Sequence, residues 1–189
     1  MDKTYEKFLR SGMDLAAVGI ECCRENTQYF CTPKGASVFG WAGTDGIHFC
    51  FIRGFGGMVF SVNQMNESQS YVHPLAKDFS DFLRLLLACG NEAALEQAWR
   101  WSREEFEAFL LKNPAAGEGE KTLKELAKAM KLTPMEQPWE YIRKLQSDFD
   151  YSRIKYTEDY YDIDRNPSAE IAFPEWKVYF DGNFWGHHG

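Results

Sequence analysis

The chain has 189 residues, of which 44% are hydrophobic, 16% aromatic and 26% charged, and it carries a net charge of −7. A chain of this length buries roughly 70% of the surface it exposes when unfolded, so it needs no disulfide or metal staple. Its aromatic content excludes disorder over most of its length, and the absence of an apolar run of roughly 18 residues excludes a membrane-spanning helix. The acid is unevenly spread: from Glu136 onward there are 11 acidic and 6 basic residues. Such a field repels phosphate backbones and favours basic partners.

The opening Met1-Asp2-Lys3-Thr4-Tyr5-Glu6 has no apolar core behind a basic start, so no secretory signal is expected there. A helix is expected over Asp2–Arg10, followed by a mixed stretch to about Lys34. The cysteines Cys22, Cys23, Cys31, Cys50 and Cys89 are odd in number and include an adjacent pair. That usage fits free thiols in a reducing cytoplasm better than a disulfide framework. Ser37–Ala42 and Ile47–Ile52 read as strands, joined through the turn Gly43-Thr44-Asp45-Gly46. Gly54-Phe55-Gly56-Gly57 turns the chain into a strand over Met58–Val62. A last extended piece, Tyr71-Val72-His73, is expected to stop at Pro74, giving an antiparallel meander.

Helical spacing then takes over. Asp78 is a suitable N-cap, with Phe79, Phe82, Leu83 and Leu86 on one face and Gly90 as the stop. A short helix is expected over Asn91–Ala98, and the capping box Ser102-Arg103-Glu104-Glu105 opens another. Asn113 to Gly119 has linker composition. A second capping box at Thr122–Glu125 is expected to start a helix reaching Met130, and Trp139, Ile142, Leu145 and Phe149 mark a further one. The tail from Ile154 is rich in Tyr and Asp, with a final strand expected over Trp176–Phe180. Strands first and helices after argue for an α+β fold. The expected architecture is an antiparallel β-sheet with helices packed on one face, plus a C-terminal helical and Tyr/Asp-rich extension. It reads as a single domain over 1–189, with a core over about 1–112, a linker over about 113–120 and an extension over 121–189 packed on that core.

The motifs that could carry chemistry fail at decisive positions. Gly54-Phe55-Gly56-Gly57 lacks the sixth-position glycine and the following helix of a dinucleotide loop. Asp162-Ile163-Asp164-Arg165-Asn166 opens like a calcium loop, but Pro167 stands where a glycine must turn the chain and Phe173 where a glutamate must bind. Cys22, Cys23, Cys31, His48 and Cys50 lack paired zinc spacing, and His187 and His188 read as tail. Thr122–Thr133 has the flavour of a helix-turn-helix entry. Its turn glycine is replaced by Lys131, Pro134 and Pro138 interrupt the second helix, and Glu136 and Glu140 would face phosphate. No catalytic residue, cofactor or metal site is expected.

The stretch from Gly40 to about Leu87 resembles the SUKH superfamily, which includes bacterial immunity proteins and yeast cell-wall synthesis regulators. The residues carrying the resemblance are Gly43-Thr44-Asp45-Gly46 before a strand, the glycine hairpin into Met58-Val59-Phe60, and Val72-His73-Pro74-Leu75-Ala76-Lys77-Asp78-Phe79-Ser80-Asp81-Phe82-Leu83. The family's N-terminal signature is not recognisable before Gly40, and about 100 residues follow the matching helix. The resemblance implies an α+β domain that binds another protein, in immunity proteins a toxin. The acidic balance suits a basic toxin, because complementary charge speeds association. The expected binding surface is the segment Tyr156–Asp164, with Asp159, Tyr160, Tyr161, Asp162 and Asp164. Nucleic acid and membrane are not expected partners. The alternatives are an enzyme or small-ligand protein using Cys22, Cys23 or His48, and a DNA-binding helix-turn-helix over 122–145.

Overall fold

The computed structural model describes residues 2–22, 28–43, 46–66 and 70–165, leaving aside the side chains of residues 22 and 162–165. The strand expected over Trp176–Phe180, Cys23, the Thr44-Asp45 pair, most of the calcium-loop-like stretch and the C-terminal histidines lie outside the described residues. Five strands form one antiparallel meander in chain order: β1 (Glu21–Cys22), β2 (Ala36–Ala42), β3 (Ile47–Ile52), β4 (Val59–Val62) and β5 (Val72–Ala76). Register follows the alternation of side chains, with Trp41 opposite His48, Cys50 opposite Phe60 and Ser61 opposite His73. Because successive strand residues point to opposite faces, the sheet presents two different surfaces, and both are covered.

The first face carries Phe39, Phe49, Val59 and Leu75 and meets the helices. These are α1 (Lys3–Ser11), α2 (Phe79–Cys89), α3 (Glu92–Gln97), α4 (Arg103–Lys112), α5 (Gly117–Met130) and α6 (Pro138–Ser147). Helix α2 supplies the central contact, since Phe79, Phe82, Leu83 and Leu86 share one stripe and are fully buried. Phe82 sits with its ring 5.4 Å from Phe39 and 5.5 Å from Phe49. Local signals set the helix ends. Asp2 caps α1 by accepting from Thr4 N at 2.7 Å, Asp78 caps α2, and Ser102 with Glu105 forms the reciprocal capping box of α4.

The second face carries Cys50, Ile52, Phe60, Val62 and Val72. It is covered by the loop before β2 and by the chain beyond α6, which runs through Phe149, Ile154 and Tyr156 into α7 (Glu158–Arg165). The architecture is therefore α+β, with the main helices on one face and the Tyr/Asp-rich extension across the other. Between Tyr156 and Asp164, composition suggested only a Tyr/Asp-rich tail, and the chain forms α7.

Two expectations about boundaries differ from the fold. The chain does not leave the sheet at Pro74, because β5 continues to Ala76. Strand β5 is the edge of the sheet, and the Pro74 carbonyl points away from β4 to accept from the Gln146 side chain at 3.3 Å. The proline nitrogen points the same way, so its missing N–H removes no ladder bond. Helix α5 begins at Gly117, so residues 117–120 of the expected linker are its first turn and Thr122 lies inside it. Gly119 explains the early start: a Cβ there would stand 2.9 Å from the Ala17 carbonyl oxygen, and only glycine lets α5 approach the 3₁₀ turn Ala16–Val18 so closely.

Candidate functional site

The extension that bears the expected binding residues is pinned at several points. Phe149 packs with its ring 5.5 Å from both Phe55 and Phe60. Asp150 caps a single 3₁₀ turn over Tyr151–Arg153, and Ile154 is buried. The carbonyl of Lys155 then accepts from Lys34 N at 2.7 Å. Tyr156, two residues before α7, stacks on Tyr160 at 3.8 Å, and Tyr160 also meets the edge of Tyr71 at 6.0 Å.

This geometry divides the expected site. Tyr160 is 7% exposed and faces the sheet, so it seats α7 and is not a surface contact. Tyr161 is 40% exposed, and Glu158 and Asp159 are exposed beside it. Asp162 and Asp164 belong to α7, with side chains outside the described residues. What the segment offers to solvent is an acidic turn with one aromatic ring, held by a buried aromatic anchor.

Of the three candidate reactive groups, Cys23 and the side chain of Cys22 lie outside the described residues, and His48 is enclosed. His48 is fully buried on β3, where its Nδ1 lies 2.8 Å from the Gly46 carbonyl and its Nε2 3.2 Å from Thr32 Oγ1. A carbonyl only accepts, so Nδ1 carries the proton and Nε2 accepts from the threonine hydroxyl. That hydroxyl in turn accepts from Tyr29 N at 2.9 Å, which completes a network built for the neutral ring. Burial pushes the imidazole down to about 4, against a smaller opposing effect of the Gly46 carbonyl. Cys31, Cys50 and Cys89 are buried free thiols. Desolvation pushes Cys31 and Cys89 up to about 12 and Cys50 higher still, which removes their nucleophilic thiolate form at neutral pH.

Tertiary structure also assembles a polar cluster that the sequence did not announce. His73 on β5 stacks on Trp99 at 4.5 Å with the rings nearly parallel. Its Nε2 donates to the Ser70 carbonyl at 2.9 Å, and its Nδ1 faces the Tyr151 hydroxyl at 3.5 Å. Arg143 on α6 donates to the Trp99 carbonyl and lies near Gln146. Desolvation pushes His73 down to about 4, opposed by the Ser70 hydrogen bond, with Arg143 lowering it further. These residues come from β5, the turn after α3, α6 and the extension, so no spacing in the chain links them. The cluster ties the extension to the sheet edge. A second buried pair, Asn63 Nδ2 donating to Glu96 Oε1 at 2.6 Å, fixes α3 against the end of β4.

Among the described residues no group of three or more His, Cys, Asp or Glu side chains is placed to hold a metal ion. Among the same described residues no helix is long and apolar enough to cross a membrane. Helices α5 and α6 do not form a compact pair: α5 packs on α1 and the Ala16–Val18 turn, whereas α6 packs on β5 and α2. Comparison of the chain with protein-family models, with curated proteins and with solved structures finds no match.

Proposed function

We propose that this chain is a non-enzymatic protein-binding module of the cytoplasm, which meets a basic partner through the acidic surface of α7. The toxin-neutralising role implied by the SUKH resemblance is the specific form of this reading. The observation that carries it is the construction of α7. A buried Tyr160 spends its ring on seating the helix, while Glu158, Asp159 and Tyr161 stand outside. A seated acidic helix with an exposed aromatic is suited to a basic surface, because rigid presentation lowers the ordering cost of association and tyrosine is a favoured interface anchor.

The enzyme reading has less support. His48 has both nitrogens engaged; of the thiols that reading names, Cys23 and the side chain of Cys22 lie outside the described residues. The DNA-binding reading has less as well, since its two helices pack on different elements and Glu140 pairs with Arg103 at 2.6 Å. The test is affinity capture from the source lysate with the parent chain and with Asp159→Lys, Asp162→Lys. The expected result is a stoichiometric basic partner retained by the parent and lost by the double variant, with an unchanged melting temperature. Equal capture by both proteins, or an acidic partner, would overturn the proposal.

A further inference from the structure

The protein is acidic overall, yet three distant segments bring four cations to one place on its surface. Lys34 precedes β2, Arg53 follows β3, and Arg153 and Lys155 lie on the extension. All four are exposed. Their backbones are locked together: Lys34 N donates to the Lys155 carbonyl at 2.7 Å, and Arg53 N donates to the Gly35 carbonyl at 3.1 Å. The Arg53 side chain lies over Gly35, where a Cβ would be 3.2 Å from the Arg53 Cβ. Arg153 rests its guanidinium 4.6 Å above the Phe55 ring and donates to the Gly54 carbonyl at 3.4 Å. Lys155 Nζ donates to the Ser152 carbonyl at 3.1 Å.

Some of the cations on the helices are paired, while others, Lys112 and Lys128 among them, have no carboxylate partner among the described residues. Lys121, Lys124, Lys144, Arg10, Arg84 and Arg103 each have a carboxylate within 4.0 Å, mostly one turn away along their own helix. Among the described residues, none of the four converging cations has one. Asp150 is an exposed carboxylate that Arg153 and Lys155 reach electrostatically. Its carboxyl is held below the usual range first by hydrogen bonds from Ser152 and then by Arg153 and Lys155.

From this convergence we infer that Lys34, Arg53, Arg153 and Lys155 form a docking surface for a short acidic peptide segment of a partner protein. The surface is separate from the acidic side of α7 and stands whichever partner α7 meets. Several features favour a peptide. A stacked guanidinium keeps further N–H groups in a plane that matches a carboxylate, and two lysines alongside add point charges. The patch is small, and the exposed Glu158 and Asp159 follow Lys155 by only three and four residues. An extended polyanion, a nucleic-acid backbone or an anionic bilayer, would press against those carboxylates within a Debye length of about 8 Å. A short peptide ends before reaching them.

The test uses the full chain and fluorescein-labelled hexaglutamate, read by fluorescence anisotropy at low and at physiological salt. Binding is expected to weaken with salt, and Lys34→Glu, Arg53→Glu, Lys155→Glu together are expected to cost roughly tenfold or more in affinity. The uncharged set Lys34→Gln, Arg53→Gln, Lys155→Gln should lose part of that, with both variants melting like the parent. A control with the same net charge, Arg100→Glu, Lys112→Glu, Lys128→Glu, alters exposed cations elsewhere and should bind like the parent. The inference is overturned by absence of binding at low salt or by an equal loss in the control. It is equally overturned if a single-stranded oligonucleotide of the same charge, or vesicles rich in phosphatidylserine, bind the patch more tightly than the peptide.

Discussion

Acid should unfold this protein earlier than its carboxylates alone would require, because two histidines are buried in neutral form. His48 and His73 are both pushed from the ordinary value near 6.5 down to about 4, mainly by desolvation. Between those limits the unfolded chain binds protons that the folded chain refuses. Stability therefore rises with pH across this window and is lost as the pH falls from about 6.5 to about 4. A shift of this size makes each histidine responsible for a loss of about 2 kcal/mol between pH 7 and pH 5, and the pair for about 4 kcal/mol. That is a large part of a domain's typical stability of roughly 5–15 kcal/mol. The assay is urea denaturation at pH 7 and pH 5 for the parent and for His48→Asn and His73→Gln. These replacements keep a donor for the Gly46 and Ser70 carbonyls. Each variant is expected to be less stable than the parent at pH 7 but to lose about 2 kcal/mol less on acidification. Glu92, whose carboxyl burial pushes up, is common to all three proteins and cancels in the comparison. If both variants lose as much stability as the parent between the two pH values, the reasoning is refuted.

Three further outcomes follow from burial. Phe82→Ala removes a fully buried ring from the helix-facing core and should cost about 3–5 kcal/mol of global stability. Phe149→Ala should cost less, because the extension can detach without unfolding the sheet, and should appear first as proteolysis of residues 149–161; equal global losses would contradict the division into a core and an attached extension. In the native protein, Cys31, Cys50 and Cys89 should react with a disulfide reagent at pH 8 far more slowly than in urea. Peptide-resolved labelling that finds any of the three modified rapidly would contradict their placement.

Much of the order of elements could be read from local pattern. The β-branched and aromatic residues of Ile47–Ile52 and the glycine turns around it specify a hairpin without reference to anything distant. The caps Asp2, Asp78 and Ser102 stand where the helices start. The pattern misled where a tertiary neighbour changed the local cost. Pro74 reads as a strand breaker, but at the sheet edge its nitrogen faces away from the ladder. Gly117 and Gly119 read as a linker, but close packing on the Ala17 carbonyl makes a glycine-bearing first turn worth forming. Lys131 stands where a glycine was expected and adopts the left-handed conformation itself, with its N–H donating to the Ala127 carbonyl.

The surfaces divide along the same line. Composition alone placed the acid in the last quarter of the chain and marked the Tyr/Asp-rich tail from Ile154. It also established the absence of a membrane-spanning run and the order of strands before helices. Only the folded chain decided that Tyr160 turns inward while Tyr161 turns out, or that His73, Trp99, Arg143 and Tyr151 share one cluster. The same holds for the meeting of Lys34, Arg53, Arg153 and Lys155 on an otherwise acidic protein. The reason is physical. Periodicity and capping act over a few residues and leave their mark in the local sequence. Which side chains meet across the sheet depends on register and on how the extension is laid over it, and those are set by the summed packing of the whole chain.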